Sequence, residues 1–285
     1  MIVITGATGA LNGATVEALL KRIPADQIGV SVRDVAKAQH FADRGVRVRR
    51  GGYDDPAALL DSFEGADQVL LVSSNDPGAD GVALVRVGIE AAVQAGAQRI
   101  LYTSHQHIGL DSPFVPAGVH AANEAQLADS GLAWTSLRNG FYAHSLDWLL
   151  GPWRESGAIA TPAAGPVSWT ERADEGEAAA VILTSERPFD GPVTLTASAA
   201  PTFGEIAGLA SELTGRDIRR VVLDDEEWVA GQVAQGRPEH MARFLLGFYQ
   251  AARDGRFADT DPLLAELLGR EPRTVRDLLA ERVAA

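Results

Sequence analysis

Met1-Ile-Val-Ile-Thr-Gly-Ala-Thr-Gly-Ala-Leu-Asn-Gly-Ala-Thr-Val16 decides how the rest of the chain is read. Met1 to Ile4 is a short β-branched apolar run, the mark of a buried strand. A glycine-bearing turn follows, and Gly13 to Leu20 is predicted to open an amphipathic helix with Val16, Leu19 and Leu20 on one face. A strand feeding through such a turn into a helix aims backbone N–H groups and the positive helix end at one spot, which suits phosphate. Gly6 permits the turn, and Gly9 lets a pyrophosphate approach without meeting a Cβ. Asn12 stands where a third glycine is usual, with Gly13 one place late. That third position serves helix–strand packing more than phosphate contact, so a local adjustment is expected there.

The remainder alternates in the same way. Ile28–Arg33, Val46–Arg50, Gln68–Val72, Arg99–Ser104 and Ala133–Leu137 read as strands. Between them, helices are expected at 56–63, at 79–96 (Val82, Val85, Ile89, Ala92 and Val93 on one face) and at 116–131. Regular alternation implies right-handed βαβ crossovers and one parallel sheet, the α/β doubly wound class. Ser73-Ser-Asn75 and Ser104-His-Gln-His-Ile-Gly109 are predicted as polar loops at carboxyl ends of strands, where ligands bind in such sheets. The second strand ends in Arg33, not in an acid that would bond a free ribose 2′-hydroxyl. Arg33 with Lys37 can clamp a 2′-phosphate, so NADP is preferred over NAD; the competing reading is two solvated surface cations.

Residues 1–150 are read as the nucleotide-binding domain. Residues 151–285 are read as a smaller lobe, some of whose segments return to the first domain. Short β-prone pieces at 158–161 and 167–169, helices at 173–184 and 202–214 and strands at 193–196 and 219–223 precede a helical end. There Met241, Phe244, Leu245, Phe248 and Tyr249 form a helical stripe that reads first as core.

Composition removes several classes. The 285 residues contain no cysteine, which excludes disulfides, thiolate metal sites and Cys nucleophiles. A net charge of −13 opposes nucleic acid and anionic membrane surfaces. No run is long enough to span a membrane and no signal peptide is expected before a core strand; with no cysteine in use, a cytoplasmic location is expected. There is no Gly-Lys of a P-loop, no His-Glu-x-x-His and no Gly-x-Ser-x-Gly, and His105-x-His107 is a poor metal signal, so no metal is expected. The Tyr-x-x-x-Lys dyad of most short-chain dehydrogenases is missing. Ala57, Gln106, Leu146 and Arg253 follow the tyrosines by four places, and Lys21 and Lys37 are the only lysines. Either there is no redox chemistry, or the acceptor needs little acid catalysis. A quinone gives a weakly basic anion and fits better than a ketone.

Thr5-Gly-Ala-Thr-Gly-Ala-Leu11, Ser31-Val-Arg33, Leu71-Val-Ser-Ser74, Tyr102-Thr-Ser104, Ala128-Asp-Ser-Gly131 and Leu137-Arg-Asn-Gly140 occur in order. With them the chain resembles the NmrA-like atypical short-chain dehydrogenases, over nearly its whole length, and within them the bacterial quinone and triphenylmethane reductase branch. The resemblance implies an extended Rossmann fold with a smaller C-terminal lobe. It implies NADP(H) as cofactor, hydride transfer to a small aromatic or quinonoid acceptor, no nucleic acid or membrane partner, and leaves homodimerisation open. Gly6, Thr8, Gly9, Ala10 and Leu11 would hold the pyrophosphate, and Arg33 with Lys37 the 2′-phosphate. Ser73, Ser74 and Asn75 would line the adenosine and central ribose, Thr103 and Ser104 the nicotinamide side. Asn139, Gly140, Phe141 and Tyr142 would lie near the nicotinamide and the substrate. Relatives often carry Asp at the place of Gly52, and Lys or Tyr at that of Ala125. That departure leaves His105, His107, His120 and Tyr142 as proton-donor candidates, with His105, His120 and Tyr142 put forward as catalytic. His120 could instead hydrogen-bond at the head of its helix, Tyr142 could pack in the core with Phe141, and Asn139 could be a turn residue. The same fold also hosts non-catalytic dinucleotide sensors and reductases of secondary metabolism, which stand as the alternatives.

Overall fold

The structure, a computed structural model, describes residues 1–74 and 78–284. Its strands are β1 (Ile2–Thr5), β2 (Ile28–Val32), β3 (Arg47–Arg50), β4 (Gln68–Leu71), β5 (Arg99–His105), β6 (Ala133–Asn139), β7 (Phe141–Tyr142), β8 (Ala158–Pro162), β9 (Trp169–Thr170), β10 (Gly191–Leu195) and β11 (Arg219–Leu223). The helices of the first part are α1 (Ala10–Leu19), α2 (Gln39–Ala42), α3 (Pro56–Ser62), α4 (Gly81–Gln94) and α5 (Val115–Asp129). They are followed by α6 (Leu146–Leu149), α7 (Trp153–Ser156), α8 (Arg172–Leu183), α9 (Phe203–Thr214), α10 (Asp225–Ala234), α11 (Glu239–Arg253), α12 (Leu263–Leu268) and α13 (Val275–Ala284).

Among the described residues, seven strands form one sheet in the order β10-β6-β5-β4-β1-β2-β3, and each neighbouring pair runs parallel. This is the expected α/β doubly wound architecture. Connectivity reverses between β1 and β4, and in such sheets the crevice at that reversal is where ligands bind. β10 comes from the second half of the chain and pairs with β6, Leu195 opposite Asn139. α8 likewise lies against α1. Ile4, Val16, Val30 and Leu101 belong to the core on that face, while Val69, Val85, Ile100 and Tyr102 belong to the core under α4 and α5. A third core, rich in aromatic rings, joins Phe141, Trp169, Phe203, Phe248, Tyr249 and Phe257. The stripe on α11 is therefore core packing, and the Tyr249 hydroxyl is bonded to Leu149 O at 2.7 Å. No helix among the described residues is long and apolar enough to cross a membrane.

Four local readings change. Helix α1 begins at Ala10 rather than Gly13, because Gly9 already supplies the extended N-cap backbone (φ −88°, ψ 159°) and nothing after it breaks the helix. β5 does not stop at Ser104. His105 pairs with Asn139, and Gln106 N–H still donates to Asn139 O at 2.8 Å, so the predicted polar loop begins later. Phe141 and Tyr142 form a further short strand, β7, paired with Trp169 and Thr170, and Tyr142 also heads the helical turn at Ala143–Ser145. Val93 is 43% exposed, since the buried face of α4 runs through Val85, Ile89 and Ala92 without it.

Candidate functional site

The turn after β1 is built for close approach. Gly6 has φ +62°, and a Cβ there would stand 2.7 Å from Val72 Cγ1, so both the backbone and the β4 end require glycine. Gly9 N–H closes the turn onto Gly6 O at 2.9 Å, and Gly13 N–H to Gly9 O at 2.8 Å is the first helical bond. The first-turn amides of α1 thus have no intrahelical acceptor, and no side chain caps them. Asn12 explains the missing third glycine. It is buried and points back under the turn, its Nδ2 donating to Thr5 O at 2.8 Å. The substitution ties the helix to the strand and leaves the amide face open. A cavity of about 580 Å³ opens in front of it, lined by Thr8, Gly9, Ala10, Lys37 and His40 among others. His40 escaped the sequence reading. The signal available was its spacing of three from Lys37, one helical turn.

Arg33 and Lys37 are both exposed, and neither makes an ion pair or side-chain hydrogen bond with a described residue. Lys37 lines the cavity in front of the glycine turn, and Arg33 follows the end of β2. Gly52 belongs with Arg33. A Cβ at Gly52 would lie 3.0 Å from Arg33 Cγ and 2.5 Å from Asp54 Oδ1, so glycine leaves the room through which Arg33 passes. Restoring an acid tests this. Gly52→Asp is expected to crowd and neutralise Arg33 and to lower the NADPH-to-NADH ratio of kcat/KM by about tenfold, the worth of one charge-assisted contact. An unchanged ratio would dissociate Gly52 from cofactor choice.

At the reversal point, Thr5 Oγ1 donates to Leu70 O at 3.1 Å and accepts Val72 N–H at 2.8 Å, joining the ends of β1 and β4. The Tyr53 hydroxyl donates to Val72 O at 2.7 Å. Ser73 N–H donates to Thr103 Oγ1 at 2.8 Å, which brings these two predicted site residues together. Asn75 lies outside the described residues. Ser104 behaves differently from its expectation as a nicotinamide contact, because its hydroxyl is committed to Glu124 Oε1 at 2.8 Å. Glu124 also accepts from Ser136 Oγ at 2.6 Å and from Arg138 at 3.0 Å and 2.7 Å through both oxygens. This buried carboxylate clamps α5 onto β5 and β6. The sequence offered no sign of that, since its partners are spread over two strands.

Beyond the clamp stand the proton-donor candidates. His105 is buried among the rings of Phe114, Phe141 and Phe257 at 5.3–5.5 Å. Burial pushes its imidazole down to about 4, with a smaller opposing effect from its bond to Gln106 O at 2.7 Å. His120 is half-buried on α5. Burial, followed by the neighbouring His105, pushes it down to about 3. Both rings are therefore neutral at ordinary pH, able to share a hydrogen bond but poor sources of a whole proton. His107 is exposed on the following loop, next to Arg256. Burial raises the Tyr142 phenol, and so does Glu175 beside it. Among the described residues, Asn139 Oδ1, His105 Nε2 and Gln106 Nε2 are buried without a hydrogen-bond partner, so the carboxyl end of β5 and β6 holds polar atoms in want of one. Phe141 joins that end to the aromatic core, 5.5 Å from His105 and 4.5 Å from Phe248, and Gly140 N–H is bonded to Leu195 O at 2.8 Å.

The NmrA-like family model matches residues 1–267. Quinone oxidoreductase 2 of Escherichia coli is 34% identical over 279 residues, spanning 97% of this chain and 96% of that protein. The NAD(P)H azoreductase of Xenophilus azovorans is 28% identical over 287 residues, spanning 100% of this chain and 99% of that one. Among solved structures, Citrobacter sp. triphenylmethane reductase complexed with NADP(H) has a TM-score of 0.90 at 31% identity, covering 99% of this chain and 100% of that one. The parallel sheet order accords with these matches, and the chain belongs to the NmrA-like family.

Proposed function

We propose that this chain is an NADP(H)-dependent oxidoreductase that reduces quinones or similar conjugated aromatic acceptors. The observation that carries the reading is the meeting of an open phosphate cradle with an aromatic, uncharged strand end on the same edge of the sheet. The cradle fits a dinucleotide: the Gly6–Leu11 turn takes the pyrophosphate, and Arg33 with Lys37 the 2′-phosphate. Ser73 and Ser74 line the ribose side, and Thr103 the nicotinamide side. Asn139 and His105 offer buried unbonded atoms to the nicotinamide end. NADPH, when bound, supplies a hydride to the acceptor. The chain orients the two and excludes water, and it offers neutral hydrogen-bond donors rather than a strong acid. That suits an acceptor whose reduced anion is weakly basic, as a hydroquinone's is, and not a simple ketone. Relatives named as quinone, azo and triphenylmethane reductases share the preference for conjugated acceptors. In the same reading residues 1–150 form the nucleotide-binding domain and the later residues close the acceptor cleft, in a cytoplasmic enzyme.

Deuterium tests the chemistry. With NADPH deuterated on the transferred face of C4 and a triarylmethyl cation dye as acceptor, the label should appear on the central carbon of the colourless product. Dye bleached without label on carbon would contradict direct hydride transfer.

A further inference from the structure

A hydrogen-bonded chain on α5 has its polarity fixed at one end. Gln126 Nε2 lies 3.3 Å from Val82 O and 3.2 Å from Asn123 Oδ1. A backbone carbonyl only accepts, so the Gln126 amide must turn its NH2 group toward it, and the second N–H goes to the Asn123 oxygen. Asn123 is thereby oriented with its own NH2 toward Tyr102, Nδ2 to Oη at 2.8 Å. The Tyr102 hydroxyl is buried and already accepts that bond. Its single proton goes to the other partner in reach, His120 Nδ1, at 2.8 Å. Nδ1 therefore accepts, and His120 must carry its own proton on Nε2.

We propose that Gln126, Asn123 and Tyr102 are positioning residues that lock His120 as the Nε2–H tautomer, presenting a hydrogen-bond donor to the acceptor's oxygen as it gains charge. The donor role rests on the reductase reading; the tautomer lock does not. The geometry gives the two edges of His120 different surroundings. Tyr102 and Asn123 are buried around Nδ1, whereas the ring as a whole is half-buried, and no described residue bonds to Nε2. His105 has the opposite polarity. Its Nδ1–H donates to Gln106 O, which leaves Nε2 a bare buried acceptor. The two rings lie 6.2 Å apart and within 28° of parallel, so one donor edge and one acceptor edge face the same strand end. In the reaction the hydride from NADPH brings two electrons to the acceptor, negative charge gathers on its oxygen, and water supplies the proton. His120 keeps its proton throughout and stabilises the charge by hydrogen bonding, as a preorganised neutral imidazole can.

The test uses the full chain with 15N-labelled histidine and long-range imidazole proton–nitrogen spectra. Wild type should show His120 as pure Nε2–H across roughly pH 5 to 8, without titrating in the window where an unperturbed histidine does. Gln126→Glu replaces the anchoring donor by an acceptor. The carboxylate takes the Asn123 NH2, Asn123 turns its oxygen to Tyr102, the Tyr102 proton follows, and His120 inverts to Nδ1–H. Tyr102→Phe, which keeps the ring but not the hydroxyl, should give a mixture of tautomers. In Gln126→Glu, kcat with a benzoquinone should fall about tenfold while the KM for NADPH stays within about twofold, the pattern of a lost transition-state donor. A wild-type His120 protonated on Nδ1, or spectra unchanged in both variants, would overturn the lock. Inverted spectra with unchanged kcat would overturn the donor role. A wild type that reduces no acceptor would overturn the reductase reading and the donor role with it, while the spectra still judge the lock.

Discussion

Arg33→Ala is expected to raise the KM for NADPH about 30-fold and to leave that for NADH within about twofold, the size of a charge-assisted hydrogen bond to phosphate. Arg33 leaves the end of β2 without an ion pair to any described residue, over a glycine that gives it room. The loss should therefore appear only with the cofactor that carries the extra phosphate. Raising the salt concentration should shrink the difference, because the contact is exposed to solvent before the cofactor binds. Steady-state kinetics with both cofactors and a common quinone reads it directly. Equal losses with NADH would mean that Arg33 supports the fold of the turn instead of the 2′-phosphate.

Glu124→Ala is expected to cost about 3 kcal/mol of stability, toward the lower end for breaking a buried ion pair, because Arg138 keeps partial access to water. The side chain of Glu124 is 6% exposed, and its removal leaves two buried serine hydroxyls and one guanidinium without their shared acceptor. For a chain of this size that loss corresponds to a Tm roughly 5–10 °C lower. Urea titration should show a reduced midpoint with an unchanged slope, which places the effect on the native state. Glu124→Gln keeps the volume but opposes an NH2 group to Arg138, so it should recover only part of the loss. A midpoint unchanged in Glu124→Ala would mean that α5 is held by its apolar face alone.

The sheet was legible because its signals are local. Met1–Ile4, Gln68–Val72 and Arg99–Ser104 are apolar runs bounded by polar or glycine residues, and a strand's burial follows from such a run without knowledge of its neighbours. The glycine turn was legible for the same reason, since Gly6 and Gly9 shape it through their own backbone. Contacts that join distant parts of the chain were not. Nothing near Glu124 indicates that Ser104, Ser136 and Arg138 will converge on it from two strands. Nothing near Gly52 shows that its missing side chain is the path of Arg33, nineteen residues earlier. Asn12 sits between these cases. Its packing role was readable from the glycine spacing, but its bond to Thr5 O needed the fold. The histidines show the limit most clearly. Their position was readable, whereas their neutrality and tautomers come from burial and from hydrogen bonds to Gln106 and Tyr102.

This chain is expected to bind NADPH and to pass its hydride to a conjugated acceptor. The most direct measurement is fluorescence titration with NADPH, followed on the same sample by the loss of nicotinamide absorbance with a panel of benzoquinones and naphthoquinones. NADPH binding should be saturable and tighter than that of NADH, and turnover should depend on the quinone. Tight binding without turnover on any acceptor would contradict the enzyme and favour a dinucleotide sensor, and no binding of either cofactor would contradict the site itself.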